Sequence, residues 1–200
     1  MKIGIYGAGE FTPVKDSSIP FIGVDGGLNY LSLLGIVPIY IIGDFDSYKK
    51  EFLNEQNNVK ILPSHKDFTD TEMAIKEAIK KGYDEIELYG VTGGRLDHFF
   101  TIMRLLVAYY PLKITVYDRY NKIYLLGSGT HIIKKDDYQY ISFFSVNESM
   151  ISLKHMVYPL NRYLLKYSDG LCVSNEIENE YGVVETTDLI FCIQSNTRGD

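Results

Sequence analysis

The residues best able to do chemistry are Asp44 and Asp46, set one residue apart in Gly43-Asp44-Phe45-Asp46-Ser47 directly behind the apolar run 39–42. A buried strand that stops in such a sequence delivers two carboxylates to the end of a sheet, where a hard divalent cation such as magnesium is held on oxygen ligands. The guest such a centre accepts is a polyanion. More acids follow other apolar runs: Asp25 in Asp25-Gly26-Gly27, Asp67 and Asp70 in Lys66-Asp67-Phe68-Thr69-Asp70, and Asp97 in Gly93-Gly94-Arg95-Leu96-Asp97-His98.

Each motif also has a plainer reading. Asp-x-Asp is common in surface turns. Thr69 and Asp70 have the types that cap a helix and favour its dipole. Arg95 and Asp97 are spaced to pair on the surface, and a lone His98 is more often packed or solvated than a base. Gly93-Gly94-Arg95 is the hardest to set aside, because a tight turn, a guanidinium and a following helix start all suit one phosphate.

The elements that would carry these residues are legible as alternating strands and helices. Apolar runs at 2–6, 21–24, 39–42, 59–62 and 86–89 each end in glycine or a polar loop, and such an alternation predicts a mostly parallel sheet covered by helices. Leu28, Leu31 and Leu34 recur at helical spacing before Gly35, and a glycine there ends a helix in the left-handed region. Thr69-Asp70-Thr71-Glu72 has the form of a capping box for a helix running to about Lys81 and stopped at Gly82. A third helix is expected over 99–110 and a further strand over 112–117. Loops that follow parallel strands emerge at one edge of the sheet, where ligands bind. Asp25, Asp44, Asp46, Asp67, Asp70 and Asp97 are therefore expected around one cleft. Carboxylates so crowded repel unless protonated or bridged by cations, and Gly26-Gly27 and Gly93-Gly94 supply backbone that a phosphate can approach.

Past residue 121 the pattern changes to short runs rich in β-branched and aromatic residues, at 122–126, 130–134, 138–145, 150–153, 157–160, 171–174, 182–185 and 189–194. That spacing predicts an all-β sandwich or barrel. The expected architecture is a Rossmann-like α/β domain over 1–121 and a C-terminal β-sandwich domain over 122–200.

The bulk composition narrows the class. The 200 residues are 46% hydrophobic and 23% charged, as in ordinary globular proteins. A formal charge of -6 argues against a protein that coats nucleic acid, which needs a basic face. No apolar run approaches the roughly 18 residues of a membrane span, and the N-terminus lacks a signal-peptide pattern. Two cysteines, Cys172 and Cys192, make no disulfide scaffold, and a cytoplasmic protein with reduced thiols is expected.

In order and spacing, Asp-Gly-Gly at 25–27, Gly-Asp-Phe-Asp-Ser at 43–47, Lys-Asp-x-Thr-Asp at 66–70 and Gly-Gly-Arg-x-Asp-His at 93–98 resemble the thiamine pyrophosphokinase family. Tyr158-Pro159-Leu160 and Val173-Ser174-Asn175-Glu176 resemble that family's second-domain elements, so the resemblance covers nearly the whole chain. Val24 before Asp25 and Cys172-Val173 before Ser174 depart from its commoner residues.

The resemblance implies transfer of the pyrophosphoryl group of Mg-ATP to the hydroxyl of thiamine, leaving AMP. It implies magnesium on Asp44, Asp46 and Asp70, and nucleotide or transferred-group contacts from Arg95, Asp97 and His98. Asp25, Gly26, Gly27, Lys66, Thr69, Gly93 and Gly94 are expected around the nucleotide, and Ser174 and Asn175 at thiamine. It also implies a homodimer with sites between subunits. Asp97, or an acid not fully engaged by metal, is a candidate proton acceptor. Two rivals from other classes are a haloacid-dehalogenase-like phosphatase with Asp44 as nucleophile and a non-catalytic nucleotide or thiamine sensor.

Overall fold

The computed structural model describes residues 1–43, the backbone of 60–62, and residues 68–197. The predicted residues Asp44, Asp46, Lys66 and Asp67 lie outside the described residues. The chain divides into two compact units, Met1–Ala108 with Leu112–Arg119, and Tyr109–Pro111 with Tyr120–Asp200.

The first unit holds six parallel strands, β1 (Lys2–Tyr6), β2 (Phe21–Val24), β3 (Tyr40–Ile42), β4 (Lys60–Leu62), β5 (Glu85–Tyr89) and β6 (Lys113–Tyr117). They run in the spatial order β4-β3-β2-β1-β5-β6. Strand β2 is buried along its whole length, and β1 and β5 along all but the first residue; β1 and β2 accordingly read as apolar runs, while β5 carries the buried Glu87, held by Lys2 and the Tyr89 hydroxyl. Three helices are described, α1 (Gly27–Leu33), α2 (Asp70–Lys80) and α3 (Leu96–Ala108). Each buries one apolar stripe: Leu28 and Leu31 on α1, Ala74, Ile75 and Ala78 on α2, and Ile102, Leu105 and Leu106 on α3.

The capping box is observed in its N-cap half: Thr69 Oγ1 accepts the Glu72 N–H at 3.2 Å, and Gly82 takes φ 84° past the end of α2. Gly35 likewise takes φ 69° after α1. Helix α3 begins three residues before the predicted start, because Leu96 and Asp97 already form its first turn.

The second unit is a β-sandwich. One sheet orders β7 (Asn121–Leu126), β13 (Ile190–Ser195) and β9 (Tyr140–Ser145) antiparallel. The other orders β11 (Leu160–Lys166), β10 (Glu148–Lys154), β12 (Tyr181–Thr186) and β8 (Gly129–Lys134), also antiparallel. Phe143, Ile141 and Cys192 from the first sheet and Ile151, Leu165 and Val184 from the second meet in one buried core, as two inner faces of a sandwich must.

Two predicted strands are corrected here. Residues 157–160 and 171–174 form no strands apart from Leu160, which opens β11; this part of the chain makes isolated bridges, Ile141 to Asn175 and Met156 to Ile177. Strand β11 escaped the sequence pattern because only Leu165 on it is buried and Arg162 breaks its extended course at φ 50°.

Candidate functional site

Order along the parallel sheet reverses at β1, whose neighbours are β2 on one side and β5 on the other. The crevice at such a reversal is where open α/β sheets bind ligands. A cavity of about 300 Å³ lies there, walled by Gly7, Ala8 and Gly9 after β1, Asp25 after β2, and Gly90, Val91 and Thr92 after β5. Thr69 and Thr71 at the start of α2 and Arg95, His98 and Thr101 around the start of α3 complete its polar lining.

Of the residues predicted from sequence, Asp25, Thr69, Gly94, Arg95 and His98 line this cavity, while Gly26, Gly27, Asp70, Gly93 and Asp97, each next in sequence to a lining residue or one removed, are not on its lining. Asp25 adopts φ 48°, a left-handed conformation that aspartate tolerates better than most residues. Its N–H donates to the Ile42 carbonyl at 2.9 Å, and its carboxylate fills the space a side chain at Gly43 would need. The carboxylate of Asp25 is thereby fixed beside the residue that immediately precedes Asp44. Asp70 opens α2 with Oδ1 buried.

The glycines divide by task. A side chain at Gly27 would overlap the Tyr6 and Gly7 carbonyl oxygens, so this glycine lets α1 seat closely on the end of β1. Gly93, at φ 77°, is packed against the Glu10 side chain. Gly94 faces open space, and it is the glycine of that pair that a ligand can approach.

Arg95 and Asp97 form a two-point pair, Nη2 to Oδ2 at 2.6 Å and Nε to Oδ1 at 3.1 Å. Asp97 Oδ1 also accepts the His98 N–H at 3.0 Å. The guanidinium holds the Asp97 carboxyl below the usual carboxylate range, and Asp97 in turn raises the Arg95 pKa. A carboxylate so stabilised in its charged form is a weak proton acceptor at neutral pH. The pair holds the guanidinium in one direction beside the positive end of α3, a combination suited to phosphate.

In the second unit Ser174 is exposed at φ 57°, its N–H donating to Ser142 Oγ at 2.9 Å. Asn175 is buried instead. Its Oδ1 accepts the N–H groups of Tyr158 and Glu176 and its Nδ2 donates to the Tyr158 carbonyl, all at 2.8–2.9 Å. Asn175 therefore clamps the Tyr158-Pro159 segment and leaves Ser174 as the exposed member of the pair.

Sequence reasoning passed over Gly7, Ala8, Gly9, Thr71, Thr92 and Thr101 as site residues. The signal present was the Gly7-Ala8-Gly9 turn at a strand end; the threonines carry none on their own. Thr92 is buried, and its Oγ1 has no hydrogen-bond partner among the described residues. Among the described residues no three His, Cys, Asp or Glu side chains are grouped as a metal site.

A switch-point cavity edged by a guanidinium, helix starts and the strand-end carboxylate of Asp25 has the lining of an α/β site for a phosphorylated ligand. The comparisons narrow that class. Residues 12–117 match the thiamin pyrophosphokinase catalytic domain and residues 130–191 the thiamin pyrophosphokinase vitamin B1 binding domain. A thiamine pyrophosphokinase of Bacillus subtilis (strain 168) is 33% identical over 185 residues, covering 86% of this chain and 85% of its own length. Crystal structures of thiamin pyrophosphokinases from Bacillus subtilis and Geobacillus thermodenitrificans each superpose with a TM-score of 0.91 at 30% identity, covering 99% and 100% of this chain and 100% and 99% of theirs. The chain belongs to the thiamin pyrophosphokinase family.

Proposed function

We propose that the cavity at the ends of β1, β2 and β5 holds the ATP of the family's reaction, with its phosphates toward Arg95 and the Asp25 carboxylate beside Gly43. The chain catalyses that reaction, moving the pyrophosphoryl group of ATP to the hydroxyl of thiamine and releasing AMP. The single observation that carries the placement is a cavity at the strand-order reversal with Arg95 and Asp25 on its lining.

The chemistry follows from that placement. The thiamine hydroxyl attacks the β-phosphorus in line, a new O–P bond forms, and the bond to the bridging oxygen breaks with its electrons leaving on AMP. Such a transfer needs positioning and charge neutralisation more than a covalent nucleophile. Arg95, aimed by Asp97, binds oxygens of the transferred group and stabilises the charge that builds during transfer. The hydroxyl proton passes to a carboxylate clear of the Arg95 pair, for which Asp25 on the cavity lining is the candidate.

The residues present fit magnesium: Asp25 and Asp70 offer oxygen donors only, and Asp25 is held beside the approach to Asp44. Asp44, Asp46 and Asp70 would hold the ion. When bound, magnesium neutralises the phosphate oxygens and makes the β-phosphorus more electrophilic. Lys66 and His98 add positive or hydrogen-bonding contacts to the phosphates. Thr69 orders the α2 start, and Gly26, Gly27, Gly93 and Gly94 shape the turns.

Ser174 is proposed to contact thiamine from the second unit, with Asn175 holding its segment. The working form is proposed to be a homodimer with sites shared between subunits, consistent with exposed Ile132, Tyr167 and Leu171 on the second unit. Light scattering would then give about twice the 22.9 kDa chain mass. No helix among the described residues is long and apolar enough to cross a membrane, and a cytoplasmic location is proposed. A match across both units supersedes the phosphatase alternative, which left the arginine turn and the sandwich without a role.

Thr101→Trp places a large ring in the cavity from α3. The expected result is an ATP KM raised at least about tenfold with the thiamine KM unchanged. An unchanged ATP KM would remove the nucleotide from this cavity.

A further inference from the structure

Three tyrosine hydroxyls converge on one loop. The Tyr6 hydroxyl, from β1, donates to the Thr12 carbonyl and accepts the Thr12 N–H, both at 2.7 Å. The Tyr30 hydroxyl, from α1, donates to the Gly9 carbonyl at 3.0 Å. The Tyr89 hydroxyl, from β5, accepts the Lys15 N–H at 3.1 Å while donating to Glu87 at 2.6 Å. The rings pack as one ladder, with Tyr6 5.6 Å from Tyr30 and 5.9 Å from Tyr89. On its other side the same loop donates Gly7, Gly9 and Glu10 N–H groups to the Tyr89, Gly90 and Thr92 carbonyls at 2.6–2.8 Å.

We propose that Tyr6, Tyr30 and Tyr89 are positioning residues for the nucleotide, holding the loop after β1 so that Gly7, Ala8 and Gly9 form the cavity wall before ligand arrives. This rests on the reading of the cavity as the ATP site. A loop of small residues has many conformations to lose, and ordering it in advance removes that cost from binding. Ordering by side chains from three separate elements, two of them fully buried, is more than a surface turn needs. The Tyr30 bond falls on Gly9 itself, which lines the cavity.

Tyr30→Phe is the informative variant, since it keeps the ring against Tyr6 and Phe11 and deletes only the hydroxyl. The expected result is an ATP KM raised about fivefold, the effect of one lost neutral hydrogen bond, with the thiamine KM and kcat within about twofold of wild type. Tyr6→Phe, assayed well below its melting temperature, moves the ATP KM in the same direction. Thr101→Trp is measured in parallel. If it raises the ATP KM while both tyrosine variants leave it unchanged, the positioning role is overturned and the cavity reading stands. If Thr101→Trp also leaves the ATP KM unchanged, the cavity reading fails and the positioning role falls with it. Equal increases in both KM values accompanied by a lower Tm would make the ladder structural only and overturn the proposal.

Discussion

Arg95 grips Asp97 two residues away through both carboxylate oxygens, Nη2 on Oδ2 at 2.6 Å and Nε on Oδ1 at 3.1 Å. Both side chains are more than half exposed, so the pair contributes little to stability, and the use proposed for it is to fix the direction of the guanidinium. Asp97→Asn is expected to lower kcat by about ten- to a hundredfold with Tm unchanged. Because the pair depresses the Asp97 pKa, it stays intact above that lowered value and is lost only as pH falls through it. The kcat profile between about pH 6 and 9 should therefore keep its shape in Asp97→Asn, and a missing limb in that range would make Asp97 the proton acceptor.

Asp44→Asn and Asp46→Asn each remove a charged oxygen donor proposed for magnesium. Turnover is expected to fall by about a hundredfold or more at ordinary magnesium, with the far-ultraviolet circular dichroism unchanged and partial recovery at high magnesium. Near-normal rates at ordinary magnesium would remove these residues from the metal centre.

Asn175 and Ser174 are adjacent but should fail in different ways. Asn175→Ala removes a buried side chain together with its part-buried hydrogen bonds to the Tyr158 and Glu176 backbone, which costs about 1–3 kcal/mol and should appear in a denaturant melt. Ser174→Ala removes an exposed hydroxyl and should raise the thiamine KM while leaving the melt and the ATP KM as they were.

Burial pushes the Cys172 thiol up to about 11 and Cys192 to about 12. Both are protonated at pH 8, and the thiolate is the reactive form. Ellman's reagent should label the native protein slowly at pH 8 and reach two thiols per chain on denaturation. Rapid native labelling would contradict the buried placement.

What could be read in advance was whatever local pattern encodes. Apolar runs marked the parallel strands, most plainly β1 and β2, because strands buried on both faces have little use for polar residues, and Thr69 with Glu72 marked the start of α2. The second unit was harder, since β11 keeps only Leu165 buried and bends at Arg162. Residues 157–159 look strand-like in sequence, yet the side chain of Asn175 satisfies Tyr158 where a strand ladder would otherwise do so. On the cavity lining, Asp25 and Arg95 were legible by type and spacing. The task of Gly27 was not, because it depends on Tyr6 and Gly7 carbonyls some twenty residues away in sequence.

The most direct measurement is the product pair. Purified protein incubated with thiamine and Mg-ATP, followed by anion-exchange separation, should yield thiamine diphosphate and AMP in equal amounts, and Thr101→Trp should suppress both by raising the ATP KM. Thiamine monophosphate with ADP, or free phosphate without thiamine diphosphate, would contradict attack at the β-phosphorus.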